Sequence, residues 1–86
     1  MVFLGNKINY NLVVSQATDI KDLSTELDIE ISNLENLLEQ IKSDWHGPAS
    51  NEVQNQLLIL IANMKMTRHN MSNASSIIID VANKTI

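Results

Sequence analysis

Residues 44–52 read "DWHGPASNE" and hold the only Trp (Trp45), the only Pro (Pro48) and one of the two Gly (Gly47) of an 86-residue chain. Turn chemistry is thus concentrated near the midpoint, with long stretches free of it on either side. Gly47 can adopt the left-handed conformation that ends a helix, and Pro48 suits the first position of the next one. Pro48 also disfavours continued helix in the residue before it. The stretch predicts a hairpin turn over 45–48, with the Trp45 ring capping the end where the chain reverses.

Working back from the turn, apolar residues fall at Val13, Ala17, Ile20, Leu27, Ile31, Leu34, Leu38, Ile41 and Trp45, in steps of three and four. Only Ser24 breaks the register. Acidic residues and Lys21 and Lys42 lie mostly off this stripe, a coiled-coil-like pattern that predicts a helix over about residues 8–44. Forward from the turn, Val53, Leu57, Leu60, Met64, Thr67, Met71, Ala74, Ile78 and Val81 keep the same alternation and predict a second helix over about 49–84. Neither stretch contains Gly or Pro beyond the turn, so nothing interrupts either helix.

The second helix carries more apolar surface than one stripe uses. "LLILI" at 57–61 and "III" at 77–79 are apolar around most of the circumference, and such a helix is normally buried on more than one side. The expected fold is all-α: an antiparallel two-helix hairpin, a single domain over 1–86, that dimerises into an elongated four-helix bundle. Leu57, Leu58, Ile59, Leu60, Ile61, Met64 and Ile78 are the expected dimer or partner interface. Met64 and Met71 are expected in the core and Met66 at an interface or surface.

Composition narrows function. Ten acids against six bases give a net charge of −4, which argues against nucleic-acid binding. The charge is uneven, with a net −5 over residues 1–44 and +1 over 45–86, which favours the two halves lying side by side. Without Cys there are no disulfides and no thiolate metal sites. The opening "MVFLGNK" has no long apolar run and no cleavage-like site, so no signal peptide is expected, and its first six or seven residues are expected to fray. The longest apolar run, "LLILIA" at 57–62, falls far below the roughly 20 residues that cross a bilayer, which argues against stable membrane insertion.

Catalytic and metal-binding constellations are missing. His46 has Ala49 and Ser50 at the i+3 and i+4 positions and His69 has Ser72 and Asn73, so neither has a second good ligand, and solvated side chains are the favoured reading. The carboxylates of "TELDIE" and "ENLLEQ" read as a solvated helix face rather than an acid–base pair, because a slim bundle offers little concavity. No Gly-rich phosphate loop and no nucleophile–base arrangement is recognisable. The chain is read as a non-enzyme with no cofactor.

Trp45-x-Gly47 between two helices of similar length, Ile41 four residues before the Trp, and small Ala49 and Ser50 after the Gly together resemble the WXG family, the ESAT-type small proteins of bacterial type VII secretion. The resemblance spans essentially the whole chain. It implies helical hairpins that pair as homodimers or with a related WXG-type partner, and that leave the cytoplasm folded, without a cleaved signal, through a membrane-ATPase-driven apparatus. It also implies secreted or cell-surface effectors, export partners or chaperone-like helpers of larger toxins. For Trp45 it suggests contact with a partner's chain end, a role compatible with capping the core. Two departures stand out. Val53 occupies the region where the family often places an aromatic residue, and the family's Tyr-x-x-x-Asp/Glu export signal has only Ser76 to Asp80 ("SIIID") as a degenerate match. The competing expectations are a membrane-active amphipathic effector, against which the acidic first helix speaks, and a structural coiled-coil module.

Overall fold

A computed structural model describes residues 9–85 as two long helices, α1 (Tyr10–Asp44) and α2 (Pro48–Thr85), folded back on each other as an elongated hairpin about 56 Å long. The expected frayed opening and residue 8 lie outside the described residues. Asn9 caps α1, its side-chain oxygen accepting the Leu12 amide at 3.1 Å. At the far end of the hairpin the Tyr10 hydroxyl donates to Asn83 Oδ1, tying the start of α1 to the end of α2.

The α1 stripe faces α2 as its periodicity requires. Ala17, Ile31 and Leu38 are buried, and Val13, Ile20, Leu27, Leu34 and Ile41 half-buried. Ser24, the polar exception, is buried at the same seam, and its hydroxyl is satisfied by donating to the Lys21 carbonyl at 2.8 Å.

The seam of α2 differs from the sequence expectation. The residues facing α1 are Ser50, Gln54, Leu57, Ile61, Met64, Arg68, Met71, Ser75, Ile78 and Ala82, again in alternating steps of four and three. Four of the nine residues of the expected stripe belong to it: Leu57, Met64, Met71 and Ile78. The other five, Val53, Leu60, Thr67, Ala74 and Val81, are displaced by one residue and exposed. The apolar character of that second row made it the better-looking seam in the sequence alone.

Two kinds of packing share the seam. Near the turn, Ile31, Leu38 and Ile61 form the core, with Leu27, Leu34, Leu57 and Met64 packed against it. Towards the open end the buried residues are small: Ala17, Ser24, Ser75 and Ala82. The Ser75 hydroxyl reaches across to donate to the Ala17 carbonyl at 2.7 Å, which requires the two backbones to run close together.

The turn also corrects the sequence reading in one respect. Helix α1 ends because Trp45 is extended (φ −134°, ψ 121°), with its amide still donating to the Ile41 carbonyl, so Gly47 is not the residue that terminates it. Gly47 (φ 120°) opens α2 instead, its carbonyl accepting the Asn51 amide at 3.0 Å. A φ of this kind is strained for any residue with a Cβ. Pro48 follows as the first helical residue.

Candidate interaction surface

Elements packed side by side expose two long edges, and here they differ in chemistry. On one edge, polar side chains bridge the helices. Lys21 Nζ donates to Ser72 Oγ at 2.9 Å, Arg68 Nη1 pairs with Asp28 Oδ1 at 3.1 Å, and Lys65 Nζ pairs with Glu35 Oε2 at 2.9 Å. Lys21, Asp28 and Glu35 are spaced by seven residues and so lie in one row along α1. Arg68 sits in the seam itself, and its buried Nε has no hydrogen-bond partner.

The opposite edge of α1 carries the row Gln16, Leu23, Glu30, Leu37 and Asp44, and the facing row of α2 is Val53, Leu60, Thr67, Ala74 and Val81. In an antiparallel pair these rows flank the seam on the side away from the bridges. Leu23, Leu37, Leu60 and Val81 are each between 42% and 53% exposed there. An open groove of about 310 Å³ indents this edge, lined by Leu23, Leu27 and Met71 and rimmed by Glu26 and Glu30. Neither row contains a Lys or Arg.

The residues expected at an intermolecular interface fall in different places. Ile61 is 5% exposed inside the hairpin and is unavailable to a partner, while Leu57, Met64 and Ile78 are half-buried in the seam and present their outer sides. Leu60 lies on the open edge. Leu58 borders the bridged edge, and Ile59 projects outwards with Met66. Ser76 and Asp80, the degenerate export element, are exposed, and Asp80 is paired with Lys84 at 3.0 Å.

At the turn, Trp45 keeps 43% of its surface exposed. Its carbonyl accepts the Ser50 hydroxyl at 2.7 Å, and Gln54 donates in turn to Ser50 at 3.1 Å. This chain fixes the strand-like Trp45 against the first turn of α2. Ser50, fully buried, is a functional-looking small residue whose fixing role the sequence did not disclose. His46 is exposed, and His69 makes a hydrogen bond of 3.1 Å with Asn73. Among the described residues no group of His, Cys, Asp or Glu could hold a metal ion, and no helix is long and apolar enough to cross a membrane.

The chain is a small two-helix hairpin with an exposed Trp-x-Gly turn, one edge crossed by polar bridges and one edge without Lys or Arg. The family model described as proteins of 100 residues with WXG matches residues 6–84, and the chain belongs to that family. Its members are small helical proteins associated with type VII secretion, generally non-enzymatic, and typically pair with related WXG proteins. Comparison with curated proteins and with solved structures finds no match for the chain.

Proposed function

We propose that the chain works as one half of a pair of helical hairpins, exported by a type VII apparatus or serving there as an export partner, through helix–helix contacts and without catalysis. The observation that carries this reading is the open edge, along which Leu23, Leu37, Leu60 and Val81 stand about half-exposed with no Lys or Arg beside them in either row, while polar bridges cross the other edge. A face about 56 Å long and two helices wide offers room for the roughly 800 Å² per partner that a standard stable interface covers. Pairing along it creates a four-helix bundle in which the all-round apolar α2 has a neighbour on each side.

In this reading the membrane ATPase of the secretion system drives export, and the exposed Trp45 and the Ser76–Asp80 segment lie on surface that a carrier or partner can reach. The test is made in the native host. Deleting the ATPase removes the protein from the culture supernatant while leaving its cytoplasmic level unchanged or raised. Unchanged export would refute the assignment.

A further inference from the structure

Charge on the open edge specifies which partner suits it, an inference that rests on the pairing reading above. Every base among the described residues is already engaged: Lys21 with Ser72, Lys42 with Glu39, Lys65 with Glu35, Arg68 with Asp28 and Lys84 with Asp80. The acids are in excess. Asp19, Glu26, Glu30 and Asp44 form no ion pair among the described residues, and all four lie on or beside the open edge of α1. Asp19, Leu23, Glu26 and Glu30 follow one another at helical spacing, so the apolar groove at Leu23, Leu27 and Met71 is bordered by carboxylates.

A second copy docked on this edge brings another acid-rimmed band, with no uncommitted base in either row to meet it. Like charges held together at an interface oppose association and select against that partner. We infer that the edge is shaped for a different chain: an amphipathic helix, or a hairpin presenting one, whose apolar stripe is flanked by Lys or Arg. Its apolar residues occupy the band from Leu23 to Leu37 on α1 and around Leu60 on α2. Its bases meet Glu26 and Glu30, and the pairing sets register along an otherwise uniform stripe.

The test combines self-association with defined peptide probes. Sedimentation equilibrium of the full chain alone at micromolar concentration and physiological salt should report a monomer. Calorimetric titration then uses three synthetic peptides of about four heptads: Leu/Ile seam positions flanked by Lys, the same peptide with Glu for Lys, and the Lys peptide in scrambled order. The Lys-flanked peptide should bind, and the Glu-flanked and scrambled peptides should not. E26Q/E30Q should weaken binding about fivefold, from two solvent-accessible ion pairs, and raised salt should weaken the wild type more than the variant. L60E should abolish it.

Equal binding of the Glu-flanked or scrambled peptide, or an unchanged affinity in E26Q/E30Q, overturns the inference. A stable dimer of the chain alone that L60E breaks also overturns it, while leaving the edge itself as the pairing surface. A chain that neither dimerises nor binds any of the peptides refutes the pairing edge and this inference together.

Discussion

Ile61 and Leu60 are neighbours in α2 with similar side chains, yet the structure assigns them to different surfaces, so the pair separates the hairpin seam from the open edge. Ile61 is 5% exposed against Ile31 and Leu38, whereas Leu60 keeps 45% of its surface in solvent. Truncating a buried Ile to Ala typically costs 2–5 kcal/mol, and a two-helix seam can partly collapse around the lost methyls, so I61A should destabilise the hairpin by about 3 kcal/mol. For a domain of this size that corresponds to a fall in melting temperature of roughly 15 °C. L60A removes surface that is already half wet and should cost the isolated chain no more than about 1 kcal/mol.

The assay is thermal and urea unfolding followed by circular dichroism, repeated across protein concentration. I61A should lower stability at every dilution. Any further loss in L60A should appear only where chains associate, because a partner that binds the folded form stabilises it by mass action. Equal destabilisation by the two variants at high dilution would refute the seam assignment. It would restore the alternative in which Val53, Leu60 and Val81 face α1.

Gly47→Ala should cost about 2 kcal/mol, because the backbone at φ 120° is unfavourable for an L-residue although the space around the position is open; unchanged melting would show that the turn relaxes to another conformation. Ser75→Ala deletes the interhelical bond to the Ala17 carbonyl and should cost about 1 kcal/mol in chemical unfolding. Arg68→Met removes a seam guanidinium with an orphaned Nε while keeping its apolar stem, and should be neutral or stabilising by about 1 kcal/mol. A large loss of stability in Arg68→Met would mean that its bond to Asp28 outweighs the cost of holding a charge in the seam.

The turn and the α1 seam were legible in sequence for a simple reason. Gly47 and Pro48 occur where nothing else breaks helix, and the residues of α1 that face α2 are almost all apolar. The phase of α2 was not legible. Its true seam includes Ser50, Gln54, Arg68 and Ser75, while the adjacent row offers Val53, Leu60 and Val81, so apolar content favoured the wrong row. The polar seam residues are tolerated because each finds a partner: Ser50 the Trp45 carbonyl, Gln54 the Ser50 hydroxyl, Ser75 the Ala17 carbonyl and Arg68 the Asp28 carboxylate. Two of those partners belong to the other helix, and a pattern read along one helix carries no information about them. The bond from the Ser50 hydroxyl to the Trp45 carbonyl was hidden similarly, since it joins the turn to the first turn of α2.

The misread row is itself informative about function. The two stripes of α2 are offset by one residue and share Leu57, Met64, Met71 and Ile78, which touch α1 with one side and border the open edge with the other. A helix that served only the hairpin would need the seam row alone, and Val53, Leu60 and Val81 would gain nothing by being apolar. Helix α1 shows what such an outer surface looks like: beyond its seam, acids interrupt the apolar positions Leu23 and Leu37. On the proposed pairing, the hairpin combines one helix patterned for two neighbours with one patterned for a neighbour and a charged rim. On that pairing, apolar area on α2 supplies the drive to associate, and the carboxylates of α1 determine which chain can satisfy it.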